Sequence, residues 1–434
     1  MRPLEFIRAL RVEERLRESS KHMKEQAAFF RDVLPYLGPA FLVSVGYMDP
    51  GNWGTGLEAG SRFGYHLLWV LFISNLMAIL LQTMAARLGI VTGHTLAEMC
   101  RLEFSRPVNL VLYIISEMAM IATDIAEFLG AAIGFNILLG IPMMFAAVLA
   151  AFAVIIILAL YRFGYRIVEY VIIALVATIG LSYVVELFLA QPQLSSFLPS
   201  VFIPRLPPKS AYVAIGMLGA TVMPHNLFLH SGVIQTRKSI MVNGVSIHES
   251  KKRLMRLATI DSFFALNSAW LVNSAILIMS AAVFFKEGIP ITSIHEAHRT
   301  LAPLLGGLSS TVFAIALLSS GLSSSTTGTI AGQIVLDGFL NIKMNLWVRR
   351  IITILPALIV IYLGWDEIKV LVFSQVALSL ALPFAVIPLI MFTHSKRLMG
   401  THRSPFVIHW LAIASATLIL FLNALLISEA LGKL

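Results

Sequence analysis

The stretch VGYMDPGNWGTG, Val45 to Gly56, interrupts the first long apolar segment of the chain. Proline removes a backbone donor and glycine loosens a helix, while a carboxylate in hydrocarbon costs roughly 3 kcal/mol on insertion scales. A span that keeps Asp49, Pro50, Gly51 and Asn52 together near its middle has a use for the break.

The surrounding composition is that of an integral membrane protein: 434 residues, 58% hydrophobic and only 13% charged. The lone cysteine, Cys100, leaves neither an intramolecular disulfide nor a Cys-rich metal motif to consider. A formal net charge of +9 raises nucleic-acid binding, but the lysines and arginines sit between apolar segments, where topology signals belong, and nucleic acid is excluded as a partner. The first residues, MRPLEFIRALRVEERLRESSKHMKEQ, contain no continuous apolar run and no small-residue cleavage site. Residues 1–35 read either as a basic amphipathic helix on the cytoplasmic face or as a disordered basic tail.

At about 20 apolar residues per crossing, eleven spans centre on 37–62, 66–88, 107–138, 142–161, 164–189, 209–236, 255–285, 301–335, 346–363, 367–392 and 405–430. Basic residues concentrate in alternate connections: Arg87, Arg101 and Arg106; Arg162 and Arg166; Arg237, Lys238 and Lys251 to Arg256; Lys343, Arg349 and Arg350; Lys396, Arg397 and Arg403. This bias places the N-terminus in the cytoplasm and, after eleven spans, the C-terminus outside a cell (inner or plasma) membrane.

The break has a counterpart. The sixth span, AIGMLGATVMPHNLFLHSG, is interrupted at Met223-Pro224-His225-Asn226. Two breaks of the form x-P-x-N lie five spans apart, and a repeat of five helices inverts in the membrane. The spacing predicts repeats over 36–190 and 209–392, with 405–430 outside them. Paired interrupted helices point to a secondary transporter with its site at the midplane, where unwound carbonyls can bind a cation. Asp49 offers a carboxylate, Asn52 a carbonyl oxygen, Ala220 a backbone carbonyl and Met223 a thioether. Sulfur suits Mn²⁺, Fe²⁺, Co²⁺ or Cd²⁺ better than the harder Mg²⁺ and Ca²⁺.

The third span carries Glu117, Asp124 and Glu127. At about 100° per residue, Asp124 lies about 20° and Glu127 about 80° from Glu117, so the three share one face. Such a row suggests a proton relay, with Arg349 and Arg350 as counter-charges, against the alternative of a structural ion-pair cluster. His225, beside Met223, is a candidate for proton transfer, and His230 a hydrogen-bonding residue in a water-lined passage.

DPGN and MPHN together resemble the paired signatures of the Nramp (natural resistance-associated macrophage protein) family of divalent metal transporters. Thr123–Gly134 (TDIAEFLGAAIG), Ser319–Phe339 and Leu346–Ala357 are also similar to it. The resemblance implies an all-α polytopic membrane protein of LeuT-type fold: two inverted five-helix repeats plus an eleventh transmembrane helix. It implies proton-coupled uptake of Mn²⁺ or Fe²⁺, no cofactor and no enzymatic activity. Its metal ligands fall on Asp49, Asn52, Ala220 and Met223, with Gln375 joining in occluded states. Its proton route falls on Asp49, Asp124, Glu127 and the Arg349–Arg350 pair.

Rivals fare worse. His295-Glu296-Ala297-His298 lacks the four-residue spacing of a zinc-protease HExxH helix, and Gly321 to Ser325 is no G-x-S-x-G elbow. A sodium-coupled amino-acid symporter of the same fold is the main alternative, but Asp49 would repel a substrate carboxylate. A cation channel needs neither inverted broken helices nor a carboxylate relay.

Overall fold

Apolar segments in lipid must satisfy their own backbone groups, and helices do so within one segment. The computed structural model describes residues 38–241 and 247–430, and among these there is helix and no strand. The expected N-terminal helix or tail over 1–35 lies outside the described residues.

In chain order the first helices are α1 (Pro39–Ser44), α2 (Pro50–Phe63), α3 (Leu68–Thr92), α4 (Leu96–Glu103) and α5 (Arg106–Leu139). There follow α6 (Met143–Ala159), α7 (Tyr165–Ala190), α8 (Leu194–Phe202), α9 (Ala211–Thr221), α10 (Pro224–Val233) and α11 (Ile247–Ser280). The last are α12 (Ile294–Leu305), α13 (Gly307–Leu340), α14 (Leu346–Leu363), α15 (Glu367–Ala381), α16 (Pro383–His394), α17 (Lys396–Met399) and α18 (Phe406–Ala430). Among the described residues, eight helical stretches are long and apolar enough to cross a membrane, and Pro39–Met48 and Met143–Ala159 are shorter apolar helices.

Each of the eleven expected segments carries helix over most of its described residues, and one boundary is corrected. The eighth does not begin at 301: Leu301 belongs to α12, which Pro303 weakens and Gly306 ends at φ +97° before α13 starts. The short helices α4 and α8 had no counterpart among the expected spans. α4 starts on a reciprocal cap in which Thr95 and Glu98 satisfy each other's backbone donors.

Both breaks are built alike. Asp49 is extended (φ −68°, ψ 165°) and is followed by Pro50 in the first turn of α2. Met223 is extended (φ −81°, ψ 128°) and is followed by Pro224 in the first turn of α10. Proline suits this position, because the first-turn N–H has no intrahelical partner to lose.

The long helices α5 and α13 run against each other, and α13 also packs on α7. The broken helices sit within this frame: α2 against α11 and α15, and α9 against α15. Trp53, fully buried, meets Tyr183 of α7 and Phe313 of α13 edge-on at 5.0 and 5.1 Å. Two glycines let α15 press onto both breaks. A Cβ at Gly51 would stand 1.7 Å from Gln375 Nε2, and one at Gly219 would stand 2.1 Å from the Gln375 carbonyl oxygen.

Three arginines counted as topology signals are core residues. Arg237 is buried against Glu169 at 2.6 Å, and Arg349 and Arg350 are buried in pairs described below. Nearby, Asp261 accepts from the amides of Gly38 and Ala40 and so anchors the start of α1 to α11.

Candidate metal site

Asp49 caps α2. Its Oδ1 accepts the Asn52 amide at 2.8 Å, which satisfies a first-turn donor. Asn52 Nδ2 donates both to Asp49 Oδ1 at 2.7 Å and to the Ala220 carbonyl at 3.0 Å. One amide NH₂ group therefore gathers two oxygens from the two broken helices around one point, as a cation would. Gln375 Nε2 lies 3.5 Å from Asp49 Oδ2 on the far side. Met223 follows three residues after Ala220 as the N-cap of α10, fully buried, with its thioether accepting from Asn226 Nδ2 at 3.6 Å.

Asp49 is wholly buried, and among the described residues no cationic side chain pairs with it. A carboxylate without a counter-charge in such a place is costly unless a cation or a proton arrives. The surrounding amides can orient it but cannot neutralise it.

The expected oxygen of Asn52 faces elsewhere. Asn52 Oδ1 accepts from Asn273 Nδ2 at 3.1 Å, and the same Asn273 nitrogen donates to the Tyr47 carbonyl at 2.6 Å. Ser320 Oγ takes the Met48 carbonyl at 2.5 Å. Of the carbonyls freed by unwinding, that of Ala220 is the one turned towards Asp49's partner Asn52.

The carboxylates of α5 lie along one face, and the paired arginines of α14 divide between them. Arg349 Nη2 binds Glu117 at 3.0 Å, and Arg350 Nη1 binds Asp124 at 2.9 Å. Arg350 also donates to Ser325 Oγ at 2.9 Å. Glu127, one turn beyond Asp124, is buried and its Oε2 has no hydrogen-bond partner among the described residues. The row reaches the second break through Thr123, whose hydroxyl is 3.4 Å from His225 Nδ1.

His230 points away from this row. Its Nδ1 lies 3.0 Å from Gln82 Oε1, and Gln82 Nε2 donates to the Tyr47 hydroxyl at 2.7 Å. Tyr47, Gln82, Asn273 and Ser320 were not singled out in the sequence. An amide inside an apolar run was the available signal for Gln82 and Asn273; Tyr47 and Ser320 offered none.

A cavity of about 880 Å³ opens at the end of the bundle where α2 finishes and α15 begins. It reaches Ser374, beside Gln375, and carries two ion pairs, Arg62–Glu58 at 2.9 Å and Lys369–Asp366 at 3.1 Å.

Residues 40–429 match the family described as natural resistance-associated macrophage protein-like, Nramp. The chain is 47% identical over 395 residues to a divalent metal cation transporter MntH of Caldanaerobacter subterraneus subsp. tengcongensis, covering 91% of this chain and 93% of that one. It is 46% identical to the protein of the same name from Nostoc sp., covering 93% of each. Its fold superposes on the Eremococcus coleocola manganese transporter with a TM-score of 0.82 at 35% identity, covering 92% of this chain and 87% of that one. It also superposes on a nucleobase-cation-symport-1 transporter with a TM-score of 0.57 at 13% identity, which is a likeness of fold alone.

Proposed function

This chain belongs to the Nramp family, a family of transporters and not of enzymes, and from that premise we propose that it imports Mn²⁺, and also Fe²⁺, Cd²⁺ and Co²⁺, coupled to protons by alternating access. The observation that carries the proposal is the buried carboxylate of Asp49, joined through Asn52 to the Ala220 carbonyl of the other broken helix. The relatives' names, a divalent metal cation transporter and a manganese transporter, support the same cargo class.

On this reading Asp49, Asn52, Ala220 and Met223 bind the ion, and Gln375 joins as α15 closes. The Asn52 amide turns over, so that its oxygen replaces its nitrogen towards Asp49. Asp49, His225, Asp124 and Glu127 carry the proton, while Arg349 and Arg350 hold the charge of the row, including Glu117. Residues 36–190 and 209–392 are the two inverted repeats, with 405–430 added to them. The N-terminus lies in the cytoplasm, the C-terminus outside, and the cavity beside Asp366 faces the outer solution.

In liposomes, an inward proton gradient should drive Mn²⁺ uptake by the wild type, and Asp49→Ala should abolish it. Uptake at the wild-type rate in that variant rules out the site.

A further inference from the structure

The HEAH segment, excluded as a zinc-protease motif, has a different arrangement. His295 stands in the first turn of the loop helix α12. Its Nδ1 lies 2.5 Å from Glu367 Oε1, and its Nε2 lies 2.6 Å from Asn136 Oδ1. Asn136 cannot be turned over to offer a donor, because its Nδ2 already donates to the Ile141 carbonyl at 2.6 Å. Glu367 is engaged on its other oxygen by the Ile294 amide at 3.0 Å. Both ring nitrogens of His295 therefore face oxygen acceptors.

A neutral imidazole has one N–H and one lone pair. If Nε2 carries its proton to Asn136, a second proton is needed between Nδ1 and Glu367 Oε1. It can sit on either atom, as an imidazolium facing a carboxylate or as a carboxylic acid facing an imidazole. Without it, a carboxylate oxygen and a ring lone pair would meet at 2.5 Å and repel. The contact as built holds one exchangeable proton.

Its position matters because of what it joins. Asn136 lies near the end of α5, the helix of Asp124 and Glu127, while Glu367 is the first residue of α15, the helix of Gln375. We propose that His295 is a positioning residue of the transport cycle: sharing one proton with Glu367, it ties α12 to the ends of α5 and α15 and holds the adjoining cavity open to the outer solution. The role in transport rests on the function proposed above; the proton-held contact does not.

The neighbours favour this division of labour. Glu296 is held below the usual carboxylate range by hydrogen bonds from the Thr292 amide and hydroxyl, so it stays ionised and turned to Thr292. His298 has its pKa lowered by burial first, then by His295 and Arg299. Asp366, which caps α15, and Lys369 in its first turn are paired with each other. On α13 the one ionisable acid or base is Asp337, near its far end, and α5 beyond Glu127 has none. Glu367 is thus the acidic partner of His295. Once that proton is lost to water, two lone pairs face each other across the contact and it opens.

The test is a distance measured by paired spin labels at Arg299→Cys on α12 and Lys369→Cys on α15, with the buried native Cys100 left in place. Wild type should show a single short distance at about pH 5.5 and a longer, broader distribution at about pH 8.5. His295→Ala should be long at both values. Glu367→Gln is the discriminating variant: its amide can accept from Ile294 and donate to the Nδ1 of a neutral imidazole, so it should stay short at both. An unchanged wild-type distance, or Glu367→Gln opening as wild type does, overturns the proposal. For transport, His295→Ala should raise the apparent KM for Mn²⁺ several-fold, roughly in proportion to the lost outward-open fraction, with kcat less affected. An unchanged KM removes the transport role. The distance needs no metal, so a wild type that failed to carry Mn²⁺ would sink the transport reading and leave the proton-held contact standing.

Discussion

Gln375 Nε2 reaches to 3.5 Å from Asp49 Oδ2 because residue 51 has no side chain, a Cβ there standing 1.7 Å from that nitrogen. Gly51→Ala should therefore push α15 off the first break and lower Mn²⁺ uptake at least about tenfold, or about 1.4 kcal/mol in the barrier. Adding Gln375→Ala should recover part of the loss by vacating the space. Uptake measured on all three variants decides it; a double variant worse than Gly51→Ala alone speaks against a steric origin.

Met223→Leu keeps the packing against Ala119, Leu378 and Ala381 while removing the sulfur. The swap should cost less than about 1.5 kcal/mol of stability. Mn²⁺ uptake is expected to persist, while competition by Ca²⁺ strengthens by about tenfold. Unchanged Ca²⁺ competition would leave Met223 a packing residue.

Arg350→Ala strands Asp124 in a buried site, and loss of one partner of such a pair costs about 3–5 kcal/mol. Thermal unfolding should show most of that loss restored in Arg350→Ala with Asp124→Asn. Asp124→Asn alone, in liposomes, should lower proton flux more than metal uptake. Equal loss of both would make the carboxylate–arginine row structural.

Asn273→Ala removes the donor shared by Asn52 Oδ1 and the Tyr47 carbonyl. Asn52 then loses the partner that sets its amide, and the apparent KM for Mn²⁺ should shift by several-fold with a smaller change in kcat. A KM within error of wild type would confine Asn273 to holding Tyr47.

The fold was largely written in hydropathy and in two four-residue breaks. Apolar length gives the spans, and a proline beside an aspartate or a methionine in mid-span marks where they open. The end of α12 was not legible as a boundary, because Leu301 to Leu305 are as apolar as a span and only Gly306, at positive φ, separates them from α13. The opposite ends of the arginine–carboxylate pairs were visible in Glu117, Asp124 and Arg349–Arg350, since charges in apolar segments are few. Which arginine meets which acid depended on helix packing. Asn273 escaped notice for the same reason: its meaning lies in the Asn52 and Tyr47 atoms that packing brings to it, far away in sequence.

Asp49 and Met223 each stand at the first turn of a helix, so α2 and α10 both begin at the site. A helix beginning carries roughly half a positive charge in its unpaired N–H groups. Two such ends beside a cation would oppose it, but the turn Gly46–Met48 and α9 end at the same two breaks, and their free carbonyls, that of Ala220 among them, carry the opposite sign. The backbone at the site thus offers partial charges of both signs, and the one full charge that selects a cation is the carboxylate of residue 49.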